Sequence, residues 1–253
     1  MSWTRNRGSF LFCLLAFVLT DAAAALPDEI QVYTDDLENP GERGVELHVN
    51  ATPSGRTTPG YPGELGPGGG LRVTPEISWG LAPGWDWGLY LPMARSGEGT
   101  NYLAGTKLRL KWVPLRPAEG AAGAFAGING EISFVERRFE EARRSVELRP
   151  IVGYRNDDWL LSFNPIVGAD LAGSQKGVLT FSPAFKAARS IGDGNMLGVE
   201  YYSELGRLSH FLPQDDQSHT LYLVFDTRTL NFGIGRGLNG ATDRWTIKAI
   251  FSF

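Results

Sequence analysis

Three features of the sequence predict an all-β fold, an antiparallel transmembrane up-and-down β-barrel of about twelve strands behind a cleaved N-terminal signal peptide. Apolar and polar residues alternate through most of the chain from Gly44 onward, the period of a sheet with two unlike faces. The connections between these runs are long and short by turns. The final run closes on an aromatic residue, Phe253.

Composition sets the outer limits. The chain has 253 residues, 42% of them apolar, with 14 Phe, 8 Tyr and 7 Trp, enough surface to bury that disorder is excluded. The 32 Gly and 15 Pro point to many turns between short strands. A mean hydropathy of -0.16 and the lack of a long apolar run after residue 25 exclude a helical membrane protein. With 24 Lys and Arg against 28 Asp and Glu, there is no electrostatic footprint for nucleic acid.

Residues 1–24 read as a secretory signal peptide. Arg5 and Arg7 precede the apolar run Phe10–Leu19, and Ala22 to Ala25 offer small-residue cleavage sites. The one cysteine, Cys13, leaves with that peptide, so the mature chain has no disulfide and no thiol nucleophile. Residues 25–43 are expected to form a short periplasmic segment, and residues 44–253 the barrel.

Each strand is argued from its own alternation. Gly44–Asn50 sets Val45, Leu47 and Val49 against Glu46, His48 and Asn50. Leu71–Gly80 sets Leu71, Val73, Ile77 and Trp79 against Arg72, Thr74, Glu76 and Ser78. In Trp85–Leu91 the polar face carries Asp86, and in Tyr102–Val113 it carries the basic stripe Lys107, Arg109 and Lys111. Ala124–Val135 presents Asn129, Glu131 and Ser133, and Arg144–Tyr154 presents Glu147 and Arg149. Trp159–Gly168 carries Ser162 and Asn164, Val178–Ser190 carries Lys186, and Met196–Glu204 carries Glu200. Ser218–Asp226, Leu230–Gly237 and Arg244–Phe253 complete the set, the last with Arg244, Thr246 and Lys248 opposite its aromatics.

Long loops follow the odd strands and short turns the even ones, with 114–123 the one longer exception. An even strand count with long loops on one side is the arrangement of an outer-membrane barrel, with both ends of the chain on the short-turn, periplasmic side. The polar face carries charge of both signs in mid-strand, which suits a paired polar lumen. Trp79, Trp85, Trp87, Trp112, Tyr154 and Trp159 cluster beside short turns, where a membrane-interface girdle belongs.

The ending Trp245-Thr246-Ile247-Lys248-Ala249-Ile250-Phe251-Ser252-Phe253 resembles the C-terminal signal strand of bacterial outer-membrane barrels. That resemblance implies recognition by the outer-membrane barrel assembly machinery, with Phe253, Phe251 and Trp245 as the signal. The stretches Glu29–Asp36, Glu46–Asn50 and Val199–Tyr202 are similar to a proteobacterial group of outer-membrane transporter-like proteins. It implies the outer membrane of a Gram-negative cell, surrounded by lipid and lipopolysaccharide, and carries over no catalytic residue.

The expected function is passage of a small polar or amphipathic solute through a narrow charged lumen. Roughly 8 strands give a filled interior and about 16–18 an aqueous channel, and twelve lies between. Lys107, Arg109 and Lys111, with Asp86 and Glu131 as cross-strand partners, are the candidate selectivity element. Arg72, Glu76, Glu147, Arg149 and Glu200 complete the expected lumen set. A closed structural barrel whose charges only neutralise one another is one alternative. A phospholipase-like hydrolase is the other, disfavoured because no outward His has an outward Ser beside it on a strand. No cofactor is expected, and no metal site. His210, Asp215, Asp216 and His219 share a loop but match no ligand spacing, and Asp35, Asp36, Glu38 and Glu42 read as a solvated acidic segment. The Gly- and Pro-rich loop 51–70 is read either as a constriction or as a cover.

Overall fold

The computed structural model describes residues 29–118 and 120–253. The expected signal peptide, with Cys13, lies outside the described residues. From Arg43 the backbone runs up and down through twelve antiparallel staves. β1 is Arg43–Ser54, β2 Leu71–Ala82, β3 Trp85–Tyr90 with Met93–Arg95, and β4 Asn101–Leu103 with Gly105–Leu115. β5 is Gly123–Val135, β6 Arg144–Arg155, β7 Trp159–Asn164 with Val167–Asp170, and β8 Leu179–Phe181 with Ala184–Gly192. β9 is Asn195–Glu204 with Gly206–Arg207, and β10 is His210–Phe211 with Ser218–Asp226. β11 is Leu230–Gly237 and β12 is Trp245–Ser252.

Each stave pairs with its chain neighbours, and β12 pairs with β1, with Glu46 facing Ser252 and Ala51 facing Ile247. The sheet therefore closes on itself and leaves no free edge. Three staves are interrupted at Pro92, Pro165 and Pro183, whose rings have no N–H to give the ladder. Neighbouring backbone carries the pairing past them. Ala104 N–H donates to Pro92 O (2.8 Å), Ser182 N–H to Ile166 O (3.0 Å) and Ser203 N–H to Pro183 O (3.1 Å). The tight turn between β2 and β3 closes on Gly84, whose φ of +82° a side chain would disfavour.

The alternation resolves into an apolar outside and a polar inside. Leu108, Leu110 and Trp112 of β4, Leu161 and Phe163 of β7, Leu221 and Leu223 of β10 and Phe251 of β12 are exposed on the outer face. A continuous apolar belt of this kind suits lipid rather than water. At its short-turn edge, Trp79 stacks on Trp87 (4.5 Å) and Trp85 on Trp112 (5.2 Å). Among the described residues no helix is long and apolar enough to cross a membrane; the crossing elements are strands.

Of the segment 25–43, the described residues 29–35 pack inside the barrel, and residues 39–42 are exposed at its short-turn end. The segment enters from that end, where Gly41 N–H donates to Gly80 O (2.9 Å) and Gly80 N–H to Glu42 O (3.1 Å). Ile30 packs with Tyr222 and Val224, Val32 with Ile166 and Ala184, and Tyr33 with Phe125 and Ile151. The physical reason is on the lumen wall. Buried cations there need acceptors, and this strap brings its backbone carbonyls to them.

Candidate functional site

Strand parity turns the polar face of every stave into the lumen, and register decides which charges meet. On β2–β4, Arg109 donates from Nε to Glu76 (2.6 Å) and from Nη1 to Asp86. Glu76 also faces the buried His48 of β1 (3.2 Å), which in turn lies 3.5 Å from Glu46. Lys107 reaches Glu131 (3.5 Å) and Glu140 (3.6 Å). Arg72 stacks on the ring of Phe139 at 4.5 Å. On the opposite wall Lys186 of β8 bridges Glu200 (3.1 Å) and Asp226 (2.8 Å), and Lys248 of β12 reaches across to Glu200. Of the mid-strand charges expected in the lumen, Arg244 alone is exposed, just before β12.

The strap runs between these two walls, and three cations hold it by its carbonyl oxygens. Lys248 Nζ donates to Ile30 O (3.0 Å), Arg149 Nη1 to Gln31 O (2.9 Å) and Lys111 Nζ to Asp36 O (2.5 Å). Arg149 also pairs with Glu147 (2.9 Å) and Glu29 (3.6 Å). Tyr33 is the anchor. Its N–H donates to Asn164 Oδ1 (2.7 Å), its carbonyl accepts from Ser162 Oγ (2.6 Å), and its hydroxyl meets that of Tyr90 (2.8 Å). Arg149 lies 4.4 Å over its ring, a cation–π contact that fixes the plane.

Two consequences follow for the sequence expectations. The basic stripe is partnered along its length: Arg109 is held by Glu76 and Asp86, Lys107 by Glu131 and Glu140, and Lys111 by the strap, with Arg109 and Lys111 also lining a lumen cavity. The acidic stretch Asp35 to Glu42 is solvated only in part: Asp36 and Glu42 are exposed, but Asp35 is buried against Arg155 (3.2 Å), and Glu38 accepts from Ser78 Oγ (3.2 Å). The strap anchors Tyr33, Tyr90 and Asn164 and the cation Lys248 escaped the sequence-derived site set, because nothing local in the chain says that a segment will enter the lumen.

The strap divides the interior. On the periplasmic side a cavity of about 480 Å³ is lined by Asp36, Glu46, Glu76, Arg109, Lys186 and Arg228, among others. On the other side a cavity of about 190 Å³ is lined by Ile30, Ile166 and Tyr222 together with Glu204, Ser218 and Thr246. Above it the long loops close in. Phe139 packs on Ala94, Ala104 and Val135 with Leu65 beside it, and Leu65 N–H donates to Arg138 O (2.9 Å). Arg56 pairs with Glu64 (2.7 Å) and donates its backbone N–H to Asp243 (2.9 Å). Burial pushes the Asp243 carboxyl up, against the pull of Arg56. Loop 51–70 thus packs against loop 136–143 as a cover.

The loop imidazoles do not assemble a centre. His219 takes the Tyr201 hydroxyl on Nδ1 (2.6 Å), and His210 is exposed. Among the described residues the metal-ligating atoms that do converge are those of Glu46, His48 and Glu76.

No family model matches the chain, and no curated protein matches it. Solved structures do. A COG4313 outer membrane channel from Pseudomonas putida F1 superposes with a TM-score of 0.57 at 11% identity, covering 89% of this chain and all of the channel. The KdgM porin aligns at a TM-score of 0.45 and 12% identity over 83% of this chain and 99% of its own. The translocator domain of the autotransporter NalP from Neisseria meningitidis aligns at 0.39 and 11% identity, covering 86% and 89%. A closed barrel of twelve staves, an apolar belt with aromatic edges and the fold of that channel lead to one conclusion. The chain has the fold of an outer-membrane β-barrel.

Proposed function

We propose that this barrel is a channel for a small polar or amphipathic solute, held shut by its own N-terminal strap. The observation that carries this reading is the division of the lumen: two cavities end on opposite sides of residues 29–34, a segment outside the barrel wall. The strap keeps its place through carbonyl hydrogen bonds and three apolar side chains, contacts that break without unzipping any stave. The mixed lining of the smaller cavity, Ile30, Ile166 and Tyr222 beside Glu204 and Ser218, suits a solute with an apolar part. The charge-paired wall supports the rival reading of a closed structural barrel. Neither imidazole contact, buried His48 with carboxylates or part-buried His219 with Tyr201, supplies the Ser–His pair of a hydrolase.

The test is conductance in a planar bilayer, comparing the mature chain with a variant lacking residues 29–36. The channel reading expects low or intermittent current from the first and discrete, larger steps from the second. A folded strapless barrel that stays silent removes the channel and leaves the structural one.

A further inference from the structure

On the β1–β2 wall, Glu46 and Glu76 stand directly opposite each other in register. Like charges in that position repel across the ladder. Between them is His48, fully buried, with Nε2 3.5 Å from Glu46 Oε2 and 3.2 Å from Glu76 Oε2. The other oxygens of both carboxylates are already committed. Ser252 Oγ donates to Glu46 Oε1 (2.9 Å) and Arg109 Nε to Glu76 Oε1 (2.6 Å), so each Oε2 is left turned toward the imidazole.

We propose that Glu46, His48 and Glu76 form a lumen-wall binding site for one divalent transition-metal cation of the zinc class. Zinc bonds of about 2.0–2.2 Å in a tetrahedron place neighbouring ligand atoms roughly 3.3 Å apart. The two Nε2–Oε2 separations match that spacing, and all three ligand atoms lie within 4.8 Å of one another. One imidazole and two carboxylates suit zinc, cobalt or nickel, whereas calcium asks for 6–8 oxygens. Three protein ligands leave a fourth position for water. The hydrogen bonds from Ser252 and Arg109 supply the outer partners that orient ligating carboxylates.

Access agrees with this assignment. Glu46, Glu76 and Asp86 gather on this wall, where Arg109 pairs with Glu76 and Asp86 and Lys111 stands opposite Asp86 in register. Glu46 is the member open to solvent, its side chain 28% exposed, and with Glu76 it lines the 480 Å³ periplasmic cavity, so a hydrated ion has a route in.

The experiment uses the purified full barrel in detergent, stripped with chelator and titrated with Co²⁺ by visible absorption and with Zn²⁺ by calorimetry. The expected result is one Co²⁺ per chain with a ligand-field band that Zn²⁺ abolishes. His48→Gln and, separately, Glu46→Gln should weaken binding about tenfold or more. A variant carrying His210→Gln and His219→Gln should bind as the parent does. A mobility shift between unheated and heated samples shows whether each variant is folded. The proposal is overturned by a parent barrel that binds no Co²⁺, by His48→Gln binding as tightly as the parent, or by loss of binding in the loop variant instead.

Discussion

Replacing Glu200 with Ala tests whether the lumen charges hold the barrel together. Glu200 is 1% exposed and accepts from Lys186 (3.1 Å), Lys248 and the Tyr202 hydroxyl (2.5 Å). Its loss strands two lysines. Removing one partner of a buried pair costs about 3–5 kcal/mol, because the remaining charge has neither water nor counterion. Two features shift that figure in opposite directions. Lys186 keeps Asp226 at 2.8 Å and lines the periplasmic cavity, so its share is reduced. Lys248 is fully buried and keeps the Ile30 carbonyl, the Tyr202 hydroxyl and the rings of Tyr202 and Tyr222 but no carboxylate within reach, so most of its share remains. A loss of about 3 kcal/mol is expected, at the low end of the range. Urea unfolding in micelles, followed by tryptophan fluorescence, measures it. The companion variant Glu200→Leu with Lys248→Met removes both buried charges and should recover most of the loss. A loss below about 1 kcal/mol in Glu200→Ala would show that lumen water solvates the lysines and that the network holds nothing.

The other expectations address the strap, the basic stripe and the last strand. Tyr33→Ala removes a buried ring and its hydroxyl contact; a local loss of about 3 kcal/mol, as for Phe→Ala, should lower hydrogen-exchange protection in residues 29–36 while leaving the staves protected. Unchanged protection would mean that the carbonyl contacts alone hold the strap. Changing Lys107, Arg109 and Lys111 to Gln in the strapless barrel leaves Glu76, Asp86 and Glu131 without their cations, so reversal potentials should shift toward cation preference. No shift would take the stripe out of the permeation path. Deleting Phe253 should lower the fraction of chain assembled in the outer membrane several-fold while the protein still refolds in detergent, read by the mobility shift between unheated and heated samples. Assembly at the parent level would remove the residue's role as a signal.

The staves were legible because each residue's face is a local matter: a period of two places Glu46 and His48 inward whatever β1 pairs with. What the local pattern cannot carry is which inward residues meet. Asp86 and Glu131 do stand opposite Lys111 and Arg109 in register, as cross-strand logic expects, yet the long side chains pass their direct partners by. Arg109 reaches past β3 to Glu76, and Lys107 rather than Arg109 takes Glu131. The strap was illegible for a related reason. Ile30, Val32 and Tyr33 look like the start of one more strand, but their partners are side chains scattered around the barrel, from Tyr90 on β3 to Lys248 on β12.

The strap and the basic residues of the wall explain each other. A barrel of this width, lined by Lys111, Arg149 and Lys248 and empty at its centre, would surround those cations with water and hold no unsatisfied group. With the strap in place, water is displaced from all three; Asp36, Gln31 and Ile30 turn their carbonyls to them, while Glu29 of the strap and Glu147 pair with Arg149 and Glu200 pairs with Lys248. Neutral carbonyls compensate a buried cation less than carboxylates do, so the strap's own hold on Lys111 and Lys248, through Asp36 and Ile30 carbonyls, is weaker than the ion pairs of the wall. Hydration of the three cations would favour release, and reburial of Ile30, Val32 and Tyr33 would favour return. That balance is what the proposed channel requires of its strap.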